Sequence, residues 1–199
     1  MTVTKNITIV QGDTFSQTLF WETTPYVYKA ITAVTKTAPA QITAVAHGLV
    51  SGWRAAVVSV VGMSAINSSN SPPKDKDFHE VTVMDVNTIL LNDVNSALYA
   101  AYVSGGYLQS YTQVDMAGYT ARMAIKTAIG GTLLLTLDTT TGSIVVNNTT
   151  KTITLILTAV ATAALTWSTG VYDLEMVSPT GAVTKLITGT VTVSPEVTT

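Results

Sequence analysis

Hydrophobic and polar residues alternate along much of this chain with the period of two that is typical of half-buried β-strands. The alternation covers residues 2–10, continues over 14–21 after Gly12–Asp13, and returns over 119–126. Many of the alternating positions hold Val, Ile, Thr or an aromatic residue, which are enriched in strands. The pattern therefore predicts antiparallel strands with one face turned towards a core.

The C-terminal part adds strands that are separated by turn residues. Thr158 is a predicted N-cap for about two turns of helix, and Gly189 is predicted to permit a bulge or a bend in the last strand. About seven short strands with regular turns predict an immunoglobulin-like antiparallel β-sandwich. The strands predicted here are 133–137, 144–146, 153–157, 170–177 and 183–193.

The sandwich pattern stops near Pro25 and resumes near Val114, as if a second domain were inserted in a loop of the first. The intervening segment has its own short strands and Gly-containing turns. We predict a discontinuous sandwich domain made of 1–28 and 110–199, with a small β-barrel-like domain at 29–109.

Composition narrows the functional classes. Only 11% of the 199 residues are charged, whereas the usual share is about 25%. The net charge is -2, and no basic stripe is present to neutralise phosphates, so we expect no nucleic-acid binding. There is no cysteine, which removes thiolate nucleophiles, disulfides and thiolate metal sites.

Targeting signals are also absent from the sequence. The N-terminal residues lack a basic region followed by an apolar run, and the longest apolar windows fall short of the roughly 18 residues that span a bilayer. We expect synthesis in the cytoplasm and no membrane association.

No catalytic constellation is apparent. His47 and His79 are too few for a zinc site, so structural roles are expected. Asp173 and Glu175 share a strand face that alternation assigns to solvent, which disfavours acid–base chemistry. Gly105–Gly106 and Gly130–Gly131 are interpreted as turns rather than phosphate loops. We predict a non-enzymatic protein without cofactors or metals, whose aromatic residues contribute mainly to packing. The aromatic residues considered are Trp21, Trp53, Trp167, Tyr99, Tyr102 and Tyr107.

A set of short motifs follows a fixed order in the middle segment: His47-Gly48-Leu49, Gly52, Val60 to Met63, Ile66-Asn67, Val81 to Val83, Asn87 to Leu91, Tyr102 and Gly105-Gly106. With these motifs, about residues 32–108 resemble the small β module named after the first catalytic cysteine half-domain (FCCH) of ubiquitin-activating enzyme. Such modules also occur in bacteriophage virion proteins. Nothing supports ubiquitin chemistry, because no cysteine is present to form a thioester.

This chain departs from the FCCH-like pattern by an insertion at 68–77. We predict a protruding polar loop there, in which the charged side chains pair with one another in solvent rather than bind calcium. The candidate partner-binding residues in this exposed loop are Asn70, Pro72, Lys74, Asp75, Lys76 and Asp77.

The outer segments contain four further motifs: Gln11 to Phe15, Asp115 to Met123, Tyr172 to Glu175 and Gly189 to Thr198. With these motifs, the outer segments resemble a phage and prophage protein family and, more loosely, the N-terminal attachment domain of phage baseplate upper proteins. The resemblance covers about half of the chain.

These resemblances imply a structural component of a bacteriophage virion, in the tail, the neck or the head-to-tail region. Such a protein would form a symmetric ring of identical copies and hold other virion proteins or fibres. Two alternatives stay open: a capsid decoration protein, and a receptor- or carbohydrate-binding module.

Overall fold

The computed structural model describes residues 3–196. Thr2, the start of the first predicted strand, lies outside them, as do the last residues of the resemblance that ends at Thr198. The described chain contains fifteen strands and one short α-helix. The strands are β1 (Val3–Thr4), β2 (Ile7–Val10), β3 (Phe15–Phe20), β4 (Glu22–Val34), β5 (Ala40–Ala44), β6 (Arg54–Val61), β7 (His79–Asp85), β8 (Thr88–Leu91), β9 (Ser104–Gln113), β10 (Thr120–Lys126), β11 (Leu133–Asp138), β12 (Ile144–Asn147), β13 (Thr152–Leu157), β14 (Thr169–Val177) and β15 (Val183–Ser194), and the helix is α1 (Ala159–Ala163).

The chain divides into two compact units. One contains the residues up to Trp21 and those from Asp115 onwards, and the other is Glu22–Val114. The sequence pattern predicted the domain boundaries after residues 28 and 109, but the structure has them after Trp21 and Val114. The reason is that β4 and β9 pair with each other, from Glu22 opposite Gln113 to Ala30 opposite Tyr107. This pairing explains why both complete strands belong to the inserted unit.

The first unit is a β-sandwich. A six-stranded sheet has the order β1-β15-β14-β10-β11, with β2 also on β15, and a three-stranded sheet has the order β12-β13-β3. Alternate residues of β10, β13 and β14 are buried between the sheets. In this order β3, β13 and β12 correspond to strands B, E and D of an immunoglobulin domain, and β10, β14 and β15 to strands C, F and G. The prediction of an all-β, immunoglobulin-like sandwich is confirmed, and the inserted unit lies in its B–C loop.

One part of this sheet is not antiparallel, because β1 and β2 both run parallel to β15. Gly189 of β15 is essential there: a Cβ atom at this position would overlap the carbonyl oxygen of Lys5, between β1 and β2. Gly189 was predicted to allow a bulge or a bend. Instead it permits close approach of the N-terminal segment, and the register of β14 and β15 shifts opposite Leu174 and Glu175.

Local features of the sandwich follow the sequence closely. The side chain of Thr158 accepts a hydrogen bond from the N–H of Ala161 and caps α1, as predicted. Thr162 is buried in this helix and donates its hydroxyl to the carbonyl of Asp13, 2.7 Å away. The helix is therefore fixed to the loop before β3.

The second unit is a closed barrel of six strands in the order β4-β5-β8-β7-β6-β9. All of its strand pairs are antiparallel. Its core includes Trp53, Ile42, Ile89, Leu91 and Leu108. Burial of these large apolar side chains is the main source of its stability.

The chain after Met63 completes the barrel where β6 separates from β7, which pair only at Arg54–Glu80 and Ala55–His79. The side-chain amide of Asn67 accepts a hydrogen bond from the N–H of Val60 at 2.8 Å and donates one to the carbonyl of Val60 at 3.0 Å. The Asn67 side chain therefore binds the backbone of β6 as a neighbouring strand would. Gly105–Gly106 was predicted to be a turn. The two residues lie instead near the start of β9, with positive φ values of 68° and 88°. Gly106 leaves room for Val60.

Candidate interaction sites

The insertion at 68–77 folds around the carboxylate of Asp77. One oxygen, Oδ1, accepts from the N–H and the hydroxyl of Ser69 at 3.2 and 2.9 Å. The other, Oδ2, accepts from the amide of Asn70 at 2.7 Å and from the N–H of Lys74 at 2.8 Å. The Lys74 N–H, with Asn70 and Ser69, holds the pKa of Asp77 far below its ordinary range. Asp77 is thus an internal anchor of the loop.

The prediction that Asp77 is exposed is therefore wrong: the residue is 6% exposed. The carboxylate turns inwards because four donors of the loop are available to it, and an ionised carboxylate binds such donors strongly. The charged side chains of this loop were also predicted to pair with one another. Asp75 instead pairs with a residue outside the loop, since its carboxylate lies 3.3 Å from the guanidinium of Arg54 in β6.

The other candidate residues remain at the surface. Pro72, Lys74, Asp75 and Lys76 are exposed, and Asn70 is half-buried because its amide is bound to Asp77. The side chain of Asp75 is 86% exposed. The loop therefore presents a small set of charged residues of both signs on a frame that Asp77 holds.

An arginine surrounded by aromatic rings supports this loop on the barrel. The guanidinium of Arg54 lies 5.3 Å from the centre of the Phe78 ring and 4.9 Å from that of Tyr111, and it binds the carboxylate of Glu22. Burial lowers the pKa of Arg54, but the Glu22 carboxylate, with Asp75, outweighs this effect and raises it overall. Such cation–π and charge-assisted contacts are strongest when partly desolvated.

Tyrosines extend this cluster. The hydroxyl of Tyr26 lies 3.4 Å from that of Tyr111, and the two ring centres are 4.8 Å apart. The hydrogen bond from Tyr26, together with burial, raises the pKa of Tyr111 to about 12. The Tyr111 hydroxyl therefore keeps its proton near neutral pH, and its contacts in this cluster serve packing and positioning. No pattern in the sequence predicts this cluster, because its members come from three strands, β4, β6 and β9, and from the loop before β7.

The two histidines have separate structural partners. Buried His47 accepts a hydrogen bond at Nδ1 from the N–H of Leu49 at 3.0 Å, and its Nε2 lies 2.9 Å from the carbonyl of Asp85. His79 Nδ1 lies 2.8 Å from Asp93. Across residues 3–196, no group of three or more His, Asp or Glu side chains is arranged to hold a metal ion.

The outer face of the larger sandwich sheet forms a groove of about 540 Å³. Asp173 and Glu175 lie in it, as alternation predicts, and each is paired across strands: Asp173 with Lys185 at 2.5 Å, and Glu175 with Arg122 at 2.8 Å. Lys185 lowers the pKa of Asp173, and Asp173 raises that of Lys185. Each of the two carboxylates therefore neutralises a neighbouring cation.

The aromatic residues divide between packing and exposure. Trp53 lies in the barrel core, and Tyr99 and Tyr102 pack against it. In contrast, Tyr107 in β9 and Tyr28 in β4 are 48% and 53% exposed, with ring centres 6.3 Å apart in an edge-to-face arrangement. This pair is the main exposed aromatic surface on β4 and β9.

No known family model matches the chain, and no curated protein is significantly similar to it. No helix within residues 3–196 is long and apolar enough to cross a membrane.

Proposed function

We propose that this protein is a non-enzymatic structural component of a bacteriophage virion, located in the tail, the neck or the head-to-tail region. In this role it would assemble with copies of itself into a symmetric ring and hold other virion proteins or fibres. The proposal rests on the family resemblance of the outer and middle segments.

The observation that best supports this role is the way the two units are joined. A complete barrel with its own core is inserted in the B–C loop of a sandwich. Loops at the end of such a sandwich are its usual recognition elements. A whole module in place of one loop enlarges the surface available to partners, and the loop at 70–77 adds exposed charges to that module.

The charged groups also favour a binding role over an enzymatic one. Arg54, Asp77, Asp173 and Glu175 are each engaged by partners in their own unit. A general acid or base needs a tuned pKa and access to substrate. These contacts give the groups positions in the fold and leave no nucleophile–base pair among them.

The test is the copy number of the chain in particles. Quantitative mass spectrometry of gradient-purified virions or induced prophage particles would compare this chain with the portal and the major capsid protein. A number near that of the portal is expected. A number near that of the capsid protein would favour the decoration alternative, and absence from particles would refute a structural role.

The exposed tyrosine pair gives the carbohydrate-binding alternative a definite location. Tyr28 and Tyr107 present amphipathic rings that suit the apolar face of a sugar. If that alternative holds, the double substitution Tyr28→Ala and Tyr107→Ala removes glycan-array binding, while Tyr99→Phe, which alters a tyrosine packed against the barrel core, leaves it intact. An array that shows no binding by the wild-type chain would exclude glycan recognition of this kind.

A further inference from the structure

The open edge of β3 has a regular set of backbone groups that face solvent. In the three-stranded sheet, the N–H of Ile156 donates to the carbonyl of Ser143 at 2.9 Å. In an antiparallel pair, hydrogen bonding alternates residue by residue. In this register the backbone N–H and carbonyl groups of alternate β13 residues point towards β3. These residues are Ile153, Leu155 and Leu157, which lie opposite Leu19, Gln17 and Phe15.

It follows that the backbone groups of Ser16 and Thr18 point away from β13. A side-chain contact supports this assignment: the amide of Gln17 donates to the carbonyl of Thr18 at 3.1 Å, on the open side of the strand. Ser16 and Thr18 are both exposed, and within residues 3–196 no second strand pairs with β3. This edge therefore offers two N–H groups and two carbonyl groups, and the Thr18 carbonyl, which already accepts from the Gln17 amide, has a second lone pair for a further donor.

The edge also lacks the features that usually prevent strands from pairing between molecules. Such features are Lys or Pro on the strand, bulges, and very short length. The strand reads Phe15-Ser-Gln-Thr-Leu-Phe20, with no charge and no proline, and its pairing with β13 has no irregularity.

The other edges differ in this respect. The register of β11 shifts near Lys126, and the outward N–H of Asp138 is already bound by the hydroxyl of Ser143 at 2.9 Å. β12 has only four residues, and β1 and β2, at the other edge of the larger sheet, have two and four. The β3 edge is thus the least protected of these edges.

We infer that β3 is an interaction surface for a second copy of this chain, joined edge to edge by antiparallel pairing about a two-fold axis at Gln17. In that register, Ser16 faces Thr18 of the other copy and Thr18 faces its Ser16, so all four open backbone groups of each copy are satisfied. The facing Ser and Thr side chains also form a favourable cross-strand pair. A two-fold axis makes the edge self-complementary and the contact closed.

This inference deepens the proposed function, on which its biological meaning rests, by supplying a contact that joins copies in pairs; a larger ring needs a second contact between such pairs. The two are separable by experiment, because pairing is measured on the purified chain and virion incorporation on particles. A chain that pairs but is absent from particles would refute only the structural role. A chain that is present in particles but does not pair would refute only the β3 contact.

Cysteine cross-linking tests the register on the full chain, which has no cysteine of its own. Directly facing residues in a hydrogen-bonded pair have Cα atoms about 5.5 Å apart, within the disulfide range of about 4.4–6.8 Å. Oxidation of a mixture of Ser16→Cys and Thr18→Cys chains should therefore give a cross-linked dimer. Either variant alone should stay monomeric on a non-reducing gel, because like positions are two residues out of register. A cross-link in one variant alone, or none in the mixture, would overturn the inference.

Sedimentation equilibrium gives a second, independent readout. The wild-type chain should show a reversible monomer–dimer equilibrium. Thr18→Pro removes an N–H that has no role within the monomer, which edge strands tolerate, and should shift the chain to monomer. Thr18→Val keeps the N–H and should retain the dimer, and circular dichroism would verify that both variants are folded. A wild-type chain that stays monomeric at all concentrations, or an unchanged dimer with Thr18→Pro, would refute the pairing.

Discussion

In the barrel unit every strand has a neighbour on both sides, whereas in the described part of the sandwich unit β1, β2, β3, β11 and β12 each have a neighbour on one side only. Ring closure therefore leaves the barrel without an outermost strand, whereas the sandwich has edges at which another strand can add. On the role we propose, partners would contact the barrel through side chains of its loops and outer face, and could also pair with the backbone of the sandwich.

The largest effects are expected from the two cores. Ile89 in the barrel and Leu174 in the sandwich are both fully buried, and truncating such a side chain to Ala costs about 2–5 kcal/mol. We expect Ile89→Ala to accelerate amide exchange in β5, β7 and β8, and Leu174→Ala to do so in β10, β14 and β15. Hydrogen-exchange mass spectrometry measures both.

Val86→Ala, at a barrel residue that is 67% exposed, is the matched control and should change stability by less than about 0.5 kcal/mol. If Ile89→Ala left exchange in the barrel strands unchanged, the core described for this unit would be wrong.

The features that were predicted correctly from the sequence are those that residues close together in the chain determine. Alternation located β10, β13 and β14 and assigned Asp173 and Glu175 to the outer face, because these patterns arise within one strand. The cap at Thr158 likewise depends on residues three positions apart. Such local signals are sufficient for the all-β class and for the sandwich.

Contacts between distant residues were not predicted. Asp77 looks solvent-exposed in the sequence, because a polar loop gives no indication that four donors will converge on one carboxylate. The cluster of Arg54 with Glu22 and Tyr111 joins residues that are far apart in the chain. Parallel pairing of β1 and β2 with β15 is similarly invisible, since alternation does not specify strand direction.

A second prediction concerns the N-terminal edge of the sandwich. Gly189→Ala would place a methyl group against the carbonyl of Lys5, and overpacking of this kind costs about 1–3 kcal/mol. Chemical denaturation should show the loss, with Thr190→Ala, an exposed neighbour, as the control. Unchanged stability would mean that the Lys5 segment does not lie over β15.

The stability that the 68–77 loop contributes should depend on pH through the carboxylate of Asp77. The pKa of Asp77 is lower in the folded chain than its ordinary value, so its stabilising contribution is complete above about pH 4 and is lost as the pH falls towards the folded pKa. Asp77→Asn should therefore be less stable than the wild type at pH 7, and the difference should shrink in acid. Chemical denaturation between pH 7 and pH 3 measures this, and a difference that does not vary with pH would contradict the role given to the carboxylate.

The smallest effect is expected at the ion pairs, and it sharpens the comparison of the two units. In the sandwich, the side chains of Arg122 and Glu175 are 59% and 28% exposed, whereas in the barrel those of Arg54 and Glu22 are 35% and 18% exposed and lie beside aromatic rings. Exposed pairs contribute about 0.2–1 kcal/mol and weaken with salt.

A double-mutant cycle to Ala should give a coupling energy in that range for Arg122–Glu175, which 1 M salt reduces. The Arg54–Glu22 cycle should give a larger coupling that is less sensitive to salt, because the rings and the 68–77 loop exclude solvent from it. Equal couplings with equal salt dependence would show that the ring cluster does not shield Arg54.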